Sequence, residues 1–255
     1  MNTFRILLAY DGTSYHGWQV QKEEATIQGI IERSLAEITG EDTRVVASSR
    51  TDAGVHAFGQ VASFRTNASL SPDIFKRALN AMLPHDIRAM QIKKVAESFN
   101  PRRDARKKRY CYYIENQAEE SAFLHKYCWN IRISLNLTDM RRAARMLIGT
   151  HDFTSFMGTG SGVKRQVREI ISLQIKSIRE LKFMDARFRG DYIQIRIEAD
   201  GFLRHMVRNI VGTLVEIGRA RMTPDAMRGI LASNDRRNAG PTAPARGLFL
   251  EKVMY

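Results

Sequence analysis

Apolar residues along this chain recur at two different periods, and the switches between them outline its elements. Phe4–Tyr10 reads as a strand that ends at the turn signal Asp11-Gly12. Ile27, Ile30, Ile31, Leu35 and Ile38 then recur at helical spacing, opened by Thr26 as an N-cap and stopped by Gly40. Arg44–Ala47 and Gln60–Phe64 read as strands. Ser71-Pro72-Asp73 combines a capping hydroxyl, a first-turn proline and an acid, which is a strong helix start. The helix it opens carries Ile74, Ala78, Leu79 and Met82 and stops before Pro84. Asp86–Val95 reads as a closing strand, so the first half runs β-α-β-β-α-β.

The second half is similar in order. Arg109–Glu115 is an aromatic-rich strand, and Thr138–Ile148 is a helix with Met140, Ala144, Leu147 and Ile148 on one face. Val167–Ile178 and Asp191–Ala199 alternate with period two, placing Ile193, Ile195 and Ile197 on a shared face. Leu203–Gly218 reads as a long helix with Val207, Ile210, Val211 and Leu214. Thr223-Pro224-Asp225 starts a short one, and Gly247–Tyr255 is a last strand. The expectation is an α+β fold of two similar domains, residues 1–104 and 105–255, each an antiparallel or mixed sheet with helices on one face. Two such sheets would flank a cleft, a common ligand site. Gly158–Gly162 and Asn238–Gly247 read as mobile loops.

Composition narrows the function. The chain has 255 residues, 44% hydrophobic and 26% charged, as an ordinary globular protein has. No apolar run is long enough to span a bilayer. The start, Met1-Asn2-Thr3-Phe4-Arg5, leads straight into a strand, so no signal peptide is expected. Cys111 and Cys128 form neither a metal pattern nor a disulfide framework, which points to a reducing, cytoplasmic setting. Lys and Arg total 40 against 27 Asp and Glu, a formal net charge of +13. Arg102, Arg103, Arg106, Lys107, Lys108 and Arg109 crowd together, and Arg141, Arg142 and Arg145, Arg204 and Arg208, and Arg236 and Arg237 form smaller groups. Such clustering suits a polyanionic partner, and the planar fork of arginine suits phosphate.

Several chemistries can be set aside. No His-x-x-x-His, Cys-x-x-Cys or carboxylate cluster has metal spacing, so a metal site is not expected. Gly158–Gly162 lacks the spacing of a dinucleotide fingerprint or a P-loop. His151-Asp152 reads as a turn at a helix end. What remains is Ser49-Arg50-Thr51-Asp52-Ala53-Gly54-Val55-His56-Ala57, a tight loop of small residues around one acid. Two readings fit it: a turn with a structural ion pair, or a carboxylate nucleophile kept ionised in a basic setting. A guanidinium near Asp52 would oppose the proton that burial favours, and Arg50 and Arg208 are the candidates. Arg208 lies off the apolar stripe of its helix, one turn from Arg204, and could equally be an exposed arginine snorkelling over the surface. Tyr110, beside the basic run, suits base stacking or core packing. By alternation Tyr112 shares its face and Tyr113 does not.

These residues carry a family resemblance. Tyr10-Asp11-Gly12-Thr13-Ser14-Tyr15-His16-Gly17-Trp18-Gln19, Arg50–Ala57, Asn80-Ala81-Met82-Leu83-Pro84, Arg109-Tyr110-Cys111-Tyr112, His151–Phe156 and His205-Met206-Val207-Arg208-Asn209-Ile210-Val211-Gly212 stand in the order of the tRNA pseudouridine synthase A family. The chain resembles that family over nearly its whole length. The resemblance implies two domains flanking a basic active-site cleft, usually in a homodimer. It implies isomerisation of uridine to pseudouridine in the tRNA anticodon stem-loop without cofactor or metal. Asp52 matches the nucleophile, Tyr110 the tyrosine that stacks on the target uracil, Arg208 the partner of the carboxylate, and Arg50 the arginine of base flipping. Arg102, from the basic run, joins Tyr110 and Arg50 as a candidate for holding substrate. Three positions depart from the pattern: Asp104 for a small residue, Arg204 where a second histidine can occur, and Cys111 for a basic residue. The competing readings are a non-catalytic RNA-binding protein, which leaves the Arg50–Asp52 loop an accident, and a synthase acting on another RNA.

Overall fold

The computed structural model describes residues 1–160, 165–183 and 186–255, with the backbone alone at Lys182, Phe183 and Ala186. The chain forms two compact units: Met1–Lys108 with Phe249–Tyr255, and Arg109–Leu248.

In the first unit, β1 (Asn2–Tyr10) lies between β3 (His56–Thr66) and β4 (Ile87–Val95), antiparallel to both, with Ile6 opposite Ala62 and Ile92. The short β2 (Val45–Ala47) pairs antiparallel with β3. Alternation along β1 buries Phe4, Ile6, Leu8 and Tyr10. α1 (Ile27–Thr39) begins where the Thr26 hydroxyl accepts from the Gly29 N–H, and it ends at Gly40, left-handed with φ 70°. α2 (Pro72–Met82) is capped by the Ser71 hydroxyl on the Ile74 N–H. Its buried residues are Phe75 and Leu79, whereas Ile74 and Met82, expected on the core face, are exposed. Phe75 lies 4.9 Å from Phe4 and meets Phe64 edge-on at 5.3 Å. Burying such a ring contributes roughly 1.5–3 kcal/mol, and each aromatic pair about 0.5–1.5 more.

The last strand, β10 (Leu248–Met254), runs parallel to β3 at its start, with Phe249 opposite His56 and Leu250 opposite Ala57. This pairing is why residues 249–255 cluster with the first unit.

The second unit carries a sheet in the order β5-β9-β8-β7, with β6 (Trp129–Asn130) parallel to β5 (Lys107–Glu115). The unit boundary falls inside β5, after Lys108. α3 (Leu137–Arg145) is capped by Asn136 Oδ1, which accepts from the Thr138 and Asp139 N–H groups. β7 (Gly149–Asp152) pairs antiparallel with β8 (Val167–Phe183), so His151-Asp152 is an edge strand and not a turn. β8 and β9 (Ala186–Ala199) form one hairpin, longer than the alternation marked, with Leu173 opposite Ile197 and Ile175 opposite Ile195. α4 (Met206–Gly218) is buried all round except at Arg208, the signature of a core helix. It starts three residues later than read because His205 is left-handed, φ 58°, so Arg204 lies before the helix. α5 (Ala226–Ser233) follows. The part of Gly158–Gly162 from Ser161 onward lies outside the described residues.

Candidate active site

Asp52 stands on the loop that joins β2 to β3, and its neighbours on that loop are tied down. The Ser48 N–H donates to Val61 O (2.8 Å) and Lys108 Nζ to Ser48 O (2.5 Å). Gln60, fully buried, brackets the next residue: its Nε2 donates to Ser49 O (2.7 Å) while its Oε1 accepts from the Ser49 N–H (3.3 Å). The Thr51 hydroxyl lies 2.8 Å from the Tyr10 hydroxyl, and Thr51 O accepts from the Trp18 N–H at 2.9 Å. Asp52 O accepts from the Val55 N–H (3.1 Å), closing a turn, and the Gly54 N–H donates to Tyr15 O (3.3 Å). Tyr15 is fixed in turn by donating to Asp86 Oδ1 (2.5 Å). Burial first, and then Asp86, pushes its phenol above the usual range.

The Asp11–Gln19 segment is thus the clamp on the Asp52 loop, and its glycines follow from close approach. A Cβ at Gly12 would stand 2.0 Å from Val55 O. One at Gly17, φ 86°, would stand 2.6 Å from Thr51 O. His56, 1% exposed, ends the loop with its ring stacked on Phe249 at 4.6 Å. Its Nδ1 lies 3.1 Å from the Gly12 nitrogen and 3.0 Å from Asp11 Oδ1. The Gly12 N–H donates to Nδ1, so that nitrogen is an acceptor here. Asp52 itself is half-buried and Arg50 is exposed. Arg102, also exposed, sits on a turn where Asn100 Oδ1 accepts from the Arg102 and Arg103 N–H groups, both at 3.0 Å. Asp104 has a local role in that turn, accepting from the Asn100 N–H at 2.8 Å.

Tyr110 and Arg208 belong to the second unit. Tyr110, on β5, is 7% exposed and meets Phe202 edge-on, with ring centroids 5.1 Å apart. Beside it, Arg109 Nε and Nη2 both donate to Glu198 Oε2 (3.0 and 2.8 Å). Tyr112 is buried and donates to Pro244 O (2.8 Å). Burial drives its phenol strongly upward, against the charge of Arg208. Arg208 is held by reciprocal bonds: its Nε donates to Ala243 O (2.7 Å), and its own carbonyl accepts from the Ala243 N–H (3.1 Å). That removes the reading of an arginine loose over the helix.

The segment containing Ala243 was expected to be a mobile loop, but buried polar groups of α4 bind it. Asn209 Oδ1 accepts from the Thr242 hydroxyl (2.6 Å) and from Arg236 Nη2 (3.1 Å), while its Nδ2 donates to Phe156 O (2.8 Å). The Thr213 hydroxyl accepts from the Gly240 N–H (2.9 Å). Asn209 and Thr213, one turn apart in an apolar run, were the sequence signal for this latch, since buried polar groups are bonded. Among the described residues, no group of three His, Cys, Asp or Glu is placed to hold a metal ion, and no helix is long and apolar enough to cross a membrane. Neither cysteine is in a disulfide, and both are buried. Burial, followed by Glu115, pushes the Cys128 thiol up to about 12.

The chain is similar in sequence to known proteins. A family model described as tRNA pseudouridine synthase matches residues 6–102 and 143–255. Curated relatives called tRNA pseudouridine synthase A align end to end, covering 100% of both chains. The protein from Thermoanaerobacter sp. (strain X514) is 42% identical over 255 residues, and that from Moorella thermoacetica is 46% identical over 257. The Thermodesulfovibrio yellowstonii protein is 41% identical over 255 residues, again covering 100% of both chains. A solved chain of the CRISPR endoribonuclease Cse3 bound to a 19-nucleotide RNA is 9% identical, covering 86% of this chain and 97% of its own. Its TM-score of 0.18 carries no argument. The matched segments contain the clamped Asp52 loop, the opening segment that clamps it and the latched Arg208 helix, and by them the chain belongs to the tRNA pseudouridine synthase family.

Proposed function

We propose that this protein isomerises uridine to pseudouridine in tRNA, within the anticodon stem-loop, with Asp52 as the nucleophile. One observation carries the reading: relatives called tRNA pseudouridine synthase A match the chain over its full length at 41–46% identity. The rigid seating of the Asp52 loop supports it. A loop held at its backbone around Asp52 restricts where the carboxylate can reach, which would lower the entropy cost of the attack proposed for it. The reaction as proposed needs Asp52, Tyr110 and Arg208 to act on one uridine.

The chemistry breaks the N1–C1′ bond, turns the uracil and joins C5 to C1′, after which the C5 proton leaves. The base must leave its stack first, and a loop gives it up more cheaply than a long helix. In this reading Arg50, exposed beside Asp52, fills the vacated space or binds a neighbouring phosphate, and Arg102 holds the backbone. Tyr110 presents its ring to the extruded uracil and its hydroxyl to the departing C5 proton. Asp52 bonds covalently to the uridine, either at C1′ as N1 departs or at C6 by addition across C5=C6. That bond breaks again to return the free carboxylate once C5 is joined to C1′. The proton lost from C5 is matched by one gained at N1. Arg208, fixed through Nε, takes the role of aiming the carboxylate with its remaining N–H groups. The test is tritium release from tRNA labelled at C5 of uridine. Asp52→Asn, close in size and without the charge, should bring release to background, and turnover near wild type would remove the nucleophile assignment.

A further inference from the structure

Three arginines ring an open hollow of about 800 Å³ in the second unit. Arg142 and Arg145 come from the last turn of α3, His151 and Asp152 from β7, and Asp225 and Arg228 from the start of α5. The two acids are occupied. Asp225 Oδ2 accepts from Arg142 Nη2 at 2.6 Å, and Asp152 Oδ1 accepts from the Thr154 N–H (2.8 Å) and hydroxyl (2.6 Å). Arg145 and Arg228 are exposed, and neither has an ion pair among the described residues.

The helix dipole accounts for one of these cations and not for the other. Arg145 ends α3, where the negative pole of the helix favours a positive charge. Arg228 is in the first turn of α5, where the positive pole disfavours it. An arginine set against the local field with no carboxylate to hold it breaks a folding rule, and such breaks mark functional positions. The ligand such a site fits is anionic, and two guanidinium forks over a hollow of this size match the phosphates of a nucleic-acid backbone.

We propose that this hollow is a phosphodiester-binding subsite through which Arg145 and Arg228 grip the backbone of the RNA substrate, away from the base that reacts. It rests on the reading of the chain as a tRNA-modifying enzyme. It contains none of Asp52, Tyr110, Arg208, Arg50 or Arg102.

The test measures binding and turnover of a full-length tRNA transcript across a salt series. Three proteins are compared: wild type, the pair Arg145→Ala with Arg228→Ala, and the pair Arg145→Lys with Arg228→Lys. With the alanine pair, the slope of log affinity against log salt should fall by about 2, roughly 1 per lost phosphate contact. KM should rise on the order of tenfold. The lysine pair keeps the charge and should restore most of the slope. Wild-type slope and KM in the alanine pair, with wild-type turnover intact, would remove the subsite alone. A wild type with no turnover on tRNA would remove the parent reading and the subsite with it. Unchanged tRNA binding with an altered sedimentation coefficient would assign the hollow to contact between copies of the chain, and would also overturn the proposal.

Discussion

Glu115 shows how a single residue can set a pH dependence apart from catalysis. It is fully buried on β5, and its carboxylate accepts from Gln117 Nε2 (2.9 Å) and from the Ser121 N–H (3.2 Å). Burial outweighs these bonds and, with Glu120 adding to it, raises the acid above its ordinary value. A raised folded-state value stabilises below the unfolded one, and that contribution is lost as pH rises through the folded value. Glu115→Gln keeps an oxygen for both donors and cannot ionise. The variant should therefore gain on wild type in thermal stability as pH climbs from 4 toward neutrality. Each kcal/mol would read as about 2–4 °C at this size. Melting curves that stay parallel across that range would show that ionisation at 115 carries no weight. Nothing in the sequence around Glu115 announced its burial, because an acid at a strand end normally faces water.

The helix α4 and the segment latched onto it test the next scale up. Gly212 sits in the middle of α4, where alanine would ordinarily be worth about 1 kcal/mol in helix propensity. Here a Cβ would stand 1.7 Å from Pro241 O, and backbone cannot rotate out of the way. Displacing the segment strains the bonds from Asn209 and Thr213 and the pair between Arg208 and Ala243. Overpacking typically costs about 1–3 kcal/mol, which exceeds the propensity gain. Gly212→Ala should therefore lower stability in urea and lower turnover with it; a stabilised, fully active variant would show that the latch does not position Arg208. The sequence disclosed α4 through its apolar run, but not its start, since no residue type predicts that His205 turns left-handed. It misjudged the face of α2 because Ile74 and Met82 share helical spacing with a competing stripe, and only packing against Phe4 and Phe64 selects Phe75. The edge strand β7, Gly-Thr-His-Asp, has no apolar alternation to detect. The Asp52 loop was legible because its small residues and its acid are local. The clamp on it was visible only as the glycines of Asp11–Gln19, whose close approaches join residues far apart in the chain.

At the scale of the whole molecule, local patterning reaches its limit at β10, whose residues mark a strand and say nothing of which sheet it joins. Its pairing with β3 returns the chain's end to the first unit. Charge is different, because a sum needs no topology. The net +13 leaves an excess of guanidinium and ammonium groups beyond those in ion pairs, Arg50, Arg102, Arg145 and Arg228 among the exposed ones. If the RNA is held mainly by such groups, its affinity is governed by release of counterions, and shape contributes little to the salt dependence. A protein making six or more phosphate contacts should lose about 10³-fold or more in tRNA affinity between roughly 50 and 200 mM salt. An uncharged recognition surface would lose almost nothing over that range. Filter binding of tRNA across the series separates the two, and a flat response would contradict the charge-borne mode of binding even if Asp52 proved essential for turnover.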